Sequence, residues 1–535
     1  QQGENKKALL IFEKLEKNYR NIPLIHDKYF QLMLFVGEYS RAEEYVDKAI
    51  KHFPTNIYYQ IDKGLIYLQK NDKPQAKKYF DQLISSLSDA QFKVRIASQH
   101  FINQKQYELA LEVYLQSRKK LGNPNEYAIQ VASIYRVLNQ PANMIEEYLR
   151  YMNENPNNFA SIKNLFQNVL RQDEELEILE TILYTKVQQS PDNIYYNELL
   201  IWVNIQRKNF YAAFIQARAI DKRNKLNGSD IIEIGKISME NKDYKNAVRF
   251  FKYVIESYPG TPNYQISRRL MISCKEEIVK STYPVDKAEI LELIDDYEHL
   301  IEEIGLNQNT VEALRSQAYL YAFYLEEYDK AIEILQFIIS SPTIHRSVLN
   351  QSKLDLGDIY LLTGQPWEST LLYSQVEKVA KETTVGYEAK LRNARLSYFR
   401  GDLSLAQSHL DILKLATSRE IANDAMALSL LIKDNARLDT SDVGLKHFAD
   451  IELLIFQNKN SQAYEALEQL KNDLPDHPLV DEILYKQAQL KMEMGQFEIA
   501  IAHLEVIFQE YGQDILGDDA LFLMASIYHE QLGNR

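Results

Sequence analysis

A repeat of about 34 residues constrains this chain more than any other feature. Pro23, Ile57, Gln91 and Asn125 are evenly spaced at this interval, and each opens a similar segment. The clearest of these, residues 57–86, reads IYYQIDKGLIYLQKNDKPQAKKYFDQLISS, with Asn, Asp and Pro at the break between two apolar stretches. A helix–turn–helix unit of this length cannot bury its apolar face alone. The period therefore predicts an all-α solenoid of stacked helix pairs rather than a globule.

Small and aromatic residues recur at fixed places within the units. Gly64 and Phe80 hold these places in one unit, and Gly235 and Phe251 hold them in another. A small residue lets two helices approach closely, while the large ring fills the gap toward the next pair. This order resembles the tetratricopeptide repeat (TPR) family. The resemblance implies a right-handed superhelical solenoid.

The same order predicts where the units begin and where they are irregular. Openings fall near residues 23, 57, 91, 125, 160, 193, 228, 265, 312, 350, 387, 444, 481 and 518, which predicts about 13–14 repeats. We expect overlong helices in 264–310 and an extra helix in 415–440. Since the last three openings stand 37 apart, we expect a boundary near residue 440. It separates an N-terminal and central solenoid (1–440) from a C-terminal long-repeat segment (441–535).

The ends of the sequence suggest that the natural chain is longer. It starts at Gln1 rather than Met, so we expect any export signal or lipid anchor to lie upstream. Arg535 falls where the second helix of the last repeat should begin, which predicts a truncated repeat. No apolar run is long enough to cross a bilayer, so no transmembrane span is predicted in this chain. The single cysteine, Cys274, is expected to be a small buried side chain.

Charge is unevenly distributed along the chain. Residues 1–125 carry a net charge of +6 and residues 401–535 carry −13, within a total of −14. Such polarity favours basic partners at the C-terminal end, unless these charges only solvate the outer faces. The acidic total and the mild basic segment argue against nucleic acid as a partner.

Catalytic and metal-binding patterns are absent from the sequence. It contains no Gly-rich phosphate loop, HExxH, CxxC or GxSxG motif. The acidic pairs are explained by helix capping and solvated helix faces; they are Asp295 with Asp296, Glu302 with Glu303, and Asp518 with Asp519. Five histidines lie in the acidic end without metal-ligand spacing, namely His409, His447, His477, His503 and His529. The sequence predicts no enzyme, no cofactor and no metal.

Two groups of residues are candidates for binding other proteins. In the TPR family the first helices line a concave groove, so the resemblance implies a binding surface of Lys28, Gln31, Tyr58, Asp62, Arg95, Gln99 and Arg136. The positions where family members that clamp a peptide carboxylate need Asn hold Gln31, Leu65 and Gln99, so such a clamp is not expected. The acidic end supplies the second candidate surface, formed by Asp473, Asp476, Asp481 and Glu482.

The C-terminal hundred residues carry a narrower resemblance. A small-acidic-acidic-Ala helix start, Gly-Gln and Gly-Asn turns and the longer period resemble the long-repeat TPR proteins of the bacterial cell envelope, among them the outer-membrane assembly lipoproteins. This implies a non-catalytic scaffold that is periplasmic and outer-membrane-associated, with other subunits of a secretion or assembly machine as partners. The alternative is a cytoplasmic TPR adaptor or regulator that binds peptides in its groove.

Overall fold

The computed structural model describes residues 2–87, 90–307, 310–342, 344–414, 418–438 and 442–533. Within these residues it contains 29 α-helices and no strands, which confirms the predicted all-α repeat fold. The chain divides into two compact units, unit 1 (Gln1–Ala219) and unit 2 (Ile220–Arg535). None of the described helices is both long enough and apolar enough to cross a membrane.

Unit 1 is a stack of helical hairpins joined by short turns. Its helices are α1 (Gln2–Glu16), α2 (Ile22–Val36), α3 (Tyr39–His52), α4 (Ile57–Gln69), α5 (Lys73–Leu87), α6 (Gln91–Asn103), α7 (Tyr107–Leu121), α8 (Ala128–Val137), α9 (Pro141–Glu154), α10 (Phe159–Val169), α11 (Asp173–Gln189) and α12 (Ile194–Gln206). Helix α13 (Phe210–Asn224) spans the division between the units. The apolar core runs along the stack between consecutive helices.

Unit 2 continues the same plan. Its helices are α14 (Ser229–Glu240), α15 (Tyr244–Ser257), α16 (Pro262–Lys280), α17 (Lys287–Ile304), α18 (Val311–Phe323), α19 (Tyr328–Ser340), α20 (Arg346–Leu362), α21 (Pro366–Val379), α22 (Thr384–Phe399), α23 (Leu403–Leu413), α24 (Arg419–Leu438), α25 (Val443–Phe456), α26 (Asn460–Asp473), α27 (Val480–Glu493), α28 (Phe497–Glu510) and α29 (Gly517–Ser526). A π-helical turn, Ile527–Gln531, follows α29.

The turn between the two helices of a repeat has the same backbone conformation at intervals of the sequence period. Gly37, Asn71, Lys105 and Asn139 follow the first helices of four successive repeats, with φ of +83°, +59°, +58° and +55°. A residue in the left-handed region ends a helix and reverses the chain. Gly and Asn tolerate this conformation well, whereas Lys105 adopts it at some cost because its Cβ is crowded there.

Close helix contacts confirm the predicted small and aromatic positions. A Cβ added to Gly64 would lie 2.5 Å from Cζ of Phe80, and one added to Gly235 would lie 2.6 Å from Cε1 of Phe251. Each ring therefore occupies the space that the missing side chain leaves open. Ala76, at the small position of the second helix, is fully buried.

The predicted unit openings agree with the helix starts. The first helices begin at residues 22, 57, 91, 128, 159, 194, 229, 262, 311, 346, 384, 443, 480 and 517. In the two segments predicted to be irregular, α16 and α17 have 19 and 18 residues, and α24 is an additional helix of 20 residues. The boundary predicted near 440 and the truncation at Arg535 fall outside the described residues and stay predictions.

Candidate protein-binding sites

The candidate groove residues of unit 1 lie mostly at the surface of the first helices. Lys28, Arg95, Gln99 and Arg136 are exposed. The Arg95 guanidinium lies 5.9 Å from the ring centre of Tyr127. These side chains are accessible to a partner, and their role in binding stays a prediction.

Two further predicted residues make contacts between repeats. The amide of Gln31 donates a hydrogen bond to Oε1 of Gln104 at 3.1 Å, joining α2 to the turn two repeats later. Tyr58 is 43% exposed, and its ring centre lies 4.7 Å from that of His100. These contacts connect α2 and α4 with α6 and the turn that follows it.

Asp62 is not an exposed groove residue, so this part of the prediction is wrong. It is 1% exposed, with Nε2 of His26 2.7 Å from Oδ2 and Nε2 of His100 2.8 Å from Oδ1. Because a carboxylate only accepts, both imidazoles donate to it. Burial alone would raise the pKa of Asp62, but the hydrogen bonds from His100 and His26 hold it below its usual value. The carboxylate thus ties α2, α4 and α6 together.

A row of exposed apolar side chains crosses the same three helices. Leu24, Tyr58 and Phe92 are 83%, 43% and 77% exposed and occupy the same place near the start of α2, α4 and α6. Large apolar groups aligned on a surface are typical of a protein-binding face. Of these only Tyr58 was predicted, although the regular spacing of the three is visible in the sequence.

Unit 2 contains a cleft of about 850 Å³ between helices of its stack. The helices α20, α21, α22, α24, α25, α27 and α29 all contribute side chains to its walls. Apolar groups such as Leu428, Ile455 and Phe456 form part of the surface. A concave site of this size, lined by both apolar and charged side chains, is typical of a ligand-binding site.

Acidic groups outnumber basic ones around this cleft. The lining carboxylates are Asp358, Glu388, Glu420, Asp424, Asp434, Glu452, Glu482 and Asp519, and the lining bases are Arg392, Arg395 and Lys486.

All three bases already have partners. Arg392 donates to Glu388 at 2.6 Å and to both oxygens of Asp358 at 3.1 Å. Arg395 lies 2.8 Å from Asp424, and Lys486 lies 3.0 Å from Glu452. The excess of negative charge in the cleft is therefore not compensated by its own bases.

Glu482 and Tyr398 each contribute a buried polar atom to the cleft. Oε2 of Glu482 is buried and has no hydrogen-bond partner among the described residues. Burial and the adjacent Asp481 raise the pKa of Glu482 to about 9. Tyr398 is 1% exposed, and its hydroxyl lies near Glu452 without a hydrogen bond of normal geometry within the described part of the chain. Both side chains border the cleft.

The predicted acidic contact surface is divided by the fold. Asp473 and Asp476 are exposed, at the end of α26 and in the following loop. Asp481 is only 6% exposed, so its assignment to an exposed surface is wrong, and Glu482 borders the cleft. Both belong to the first turn of α27, which packs into the stack. Acidic residues close together in sequence therefore lie in different places, some on the exposed surface and some at the cleft.

The turn between α25 and α26 contacts helices far away in sequence. The Gln457 amide donates to the carbonyl oxygen of Leu361 at 3.2 Å, and the Asn458 amide donates to that of Phe323 at 2.8 Å. The Phe456 ring packs 6.3 Å from that of Phe323. Unit 2 is thus curved strongly enough for later repeats to contact the first helices of earlier ones. The helical period alone did not predict this contact.

Metal binding gains no support from the described side chains. Across the described ranges, no group of three or more His, Cys, Asp and Glu side chains could hold a metal ion. Cys274 is fully buried, and burial raises the pKa of its thiol to about 12.

Residues 482–514 match the family model described as tetratricopeptide repeat. No curated protein is significantly similar in sequence to the chain. Among solved structures, a tetratricopeptide repeat protein from Parabacteroides merdae is 13% identical, with a TM-score of 0.29 and coverage of 56% of this chain and 99% of that one. Yeast Tom70 is 13% identical, with a TM-score of 0.31 and coverage of 88% and 96%. With TM-scores this low, the superpositions establish no residue correspondence. The family match lies on the hairpin of α27 and α28, and the chain therefore carries a tetratricopeptide repeat there.

Proposed function

We propose that this protein is a non-catalytic scaffold that holds other proteins in a bacterial cell envelope. In this proposal it is a periplasmic, outer-membrane-associated component of a secretion or outer-membrane assembly machine, and its partners are other subunits of that machine. The alternative is a cytoplasmic TPR adaptor or regulator that binds peptides.

The cleft of unit 2 is the observation that carries the scaffold role. Its volume of about 850 Å³ suits a chain segment of a partner, and its walls come from seven separate helices of the stack. A site built from many rigid helices holds a ligand without reorganising first, which lowers the entropic cost of binding.

Unit 1 offers a second kind of contact. The exposed row of Leu24, Tyr58 and Phe92 has the exposed bases Lys28 and Arg95 on the same helices. Apolar groups surrounded by charge are typical of the core and rim of a protein interface. A scaffold with two chemically different surfaces can hold two different partners.

Support for the envelope comes from the C-terminal sequence. The helix start Gly517-Asp518-Asp519-Ala520 and the longer spacing of the last repeats are the features that resemble the envelope proteins. The TPR match at 482–514 falls in the same segment.

Partner capture with a matched pair of variants tests the scaffold role. Leu430 is 46% exposed and borders the cleft, whereas Leu371 is 59% exposed on α21 and does not. The tagged full-length protein is expressed in its own organism, cross-linked and purified. We expect Leu430→Glu to lose specific partners that wild type and Leu371→Glu retain, because a charge in the cleft wall repels apolar ligand groups.

Two outcomes would contradict parts of this proposal. If both variants retain every partner, or no partner is captured, the cleft is not the binding site of a scaffold. Fractionation of the same cells tests the location. Recovery of the protein and its partners with the outer membrane supports the envelope role, whereas recovery in the cytosol supports the adaptor.

A further inference from the structure

On the basis of the proposed scaffold function, we propose that the cleft of unit 2 binds a cationic segment of a partner protein. In this complex a Lys or Arg side chain of the partner lies against Glu482 in the wall formed by α24, α25 and α27. Apolar side chains of the same segment contact the neighbouring apolar wall.

Charge complementarity identifies the class of ligand. The cleft carboxylates Asp358, Glu388, Asp424 and Glu452 are paired with its three bases. Four others have no basic partner within the described residues, namely Glu420, Asp434, Glu482 and Asp519. An acidic ligand would add to this excess, whereas a cationic one compensates it.

Glu482 is the carboxyl that the partner cation contacts in this proposal. Its Oε2 is buried without a hydrogen bond within the described part of the chain, although it borders an open cleft. A buried polar atom without a partner is costly, so a donor that enters the cleft gains more there than at a solvated carboxylate. Tyr398, almost fully buried with an unbonded hydroxyl among the described residues, lines the same cleft from α22 and offers a second polar contact.

The apolar part of the lining suits the stem of a basic side chain. Leu428, Ile455 and Phe456 are partly buried and line the cleft together with the carboxylates. Lys and Arg place their methylene groups on such surfaces while the charged end reaches a polar group. A segment that alternates basic and apolar residues therefore satisfies both parts of the cleft.

Binding should release a proton. The charged and titratable groups that face Glu482 are Asp481 on its own helix, Asp434 on α24 and Tyr398 on α22, with Glu452 paired to Lys486 nearby. Apart from the paired Lys486, none of these carries positive charge. The pKa of about 9 leaves the Glu482 carboxyl protonated at neutral pH in the free protein. A partner cation favours the ionised form, so affinity should rise with pH from 7 to about 9.

Three synthetic peptides provide the test. They are twelve-residue labelled peptides of Ala and Leu that carry four Lys, four Gln or four Glu residues, and fluorescence anisotropy measures their binding to the full chain. We expect the Lys peptide to bind at least about tenfold more tightly than the other two. A difference of this size is what one well-placed charge contact contributes.

Matched variants locate the contact. Glu482→Gln should weaken the Lys peptide about tenfold and abolish the rise of affinity with pH, because it removes the titrating carboxyl. The control Asp476→Asn removes an exposed carboxylate outside the cleft and should change the affinity less than about twofold. Calorimetry in buffers of different ionisation enthalpy should show the release of up to about one proton in wild type and of almost none in Glu482→Gln. Thermal unfolding of both variants checks that each is folded.

The results separate this inference from the scaffold function itself. Equal binding of the Lys and Gln peptides, preference for the Glu peptide, or unchanged affinity in folded Glu482→Gln would each overturn it. If the three peptides bind equally and Leu430→Glu abolishes their binding, the inference is wrong, but the cleft is still a protein-binding site with a different specificity. Absence of any peptide binding also overturns the inference, and the scaffold function then depends on the capture experiment alone.

Discussion

Removal of the Asp62 carboxylate should loosen the first three repeats of unit 1. Asp62→Ala leaves the Nε2–H groups of His26 and His100 without their acceptor in a site where Asp62 is 1% exposed. An unsatisfied buried donor costs about 1–3 kcal/mol. Two such donors give an expected loss of about 2–6 kcal/mol in the free energy of unfolding of this region. Asp62→Asn should lose about half as much, since its amide oxygen still accepts one hydrogen bond.

Hydrogen exchange resolved along the chain is the suitable measurement. A protein with two compact units does not provide a single two-state free energy, so a global melting curve would mix their contributions. Exchange of the amides in α2, α4 and α6 reports the opening of the helices that the carboxylate joins. We expect protection there to fall far more than in the other helices of unit 1.

Acid pH provides an independent check of the same bridge. Because the hydrogen bonds depress the pKa of Asp62, its stabilising contribution is present above the ordinary pKa of an aspartate. It is lost as the pH falls through the lower pKa of the folded state. Wild type should therefore lose protection in α2, α4 and α6 over that range. The protection of these helices in Asp62→Ala, which lacks the carboxylate, should not fall further over the same range. The control is Asp81→Ala, an exposed carboxylate on α5 in the same unit. An Asp62→Ala variant as protected as this control would refute the argument.

Four further substitutions test packing, burial and exposure. Ala76→Trp should destabilise unit 1 by about 1–3 kcal/mol or more, because Ala76 is fully buried between two helices, and denaturant unfolding measures the loss. Glu482→Gln should unfold at a higher temperature than wild type, and this difference should widen as the pH rises from about 4 toward 9. The reason is that the raised pKa of Glu482 makes its ionisation oppose folding in that range. Leu24→Gln and Phe92→Gln should change the free energy of unfolding by less than about 0.5 kcal/mol, because both side chains are exposed, and a large loss would show that they pack in the fold.

The repeat architecture could be predicted because it depends on contacts that are local in sequence. Gly64 and Phe80 lie on consecutive helices of one repeat, and each such pair fixes one helix hairpin. The same short-range pattern recurs along the chain, so the unit openings could be located from spacing. Overlong helices and the extra helix α24 were visible as departures from this pattern.

The candidate sites were less predictable because they depend on contacts between repeats. Asp62 occupies a groove position, but His26 and His100, which bury it, lie on the preceding and following first helices. The sequence gives no direct sign that three side chains 36 and 38 residues apart will meet. Asp476 and Asp481 belong to one acidic stretch, yet only Asp476 is exposed, because α27 begins between them.

The unpaired carboxyl in the cleft connects the stability of the free protein with the affinity for its partner. Burial and the adjacent Asp481 make the ionisation of Glu482 unfavourable in the free fold. Lys486, one turn along the same helix, does not relieve this because it is paired with Glu452. A ligand that supplies a positive charge at this site favours the ionised carboxyl and so offsets part of that cost. Substitutions that stabilise the empty cleft should therefore weaken the complex, and the two effects should vary together with pH because one carboxyl governs both.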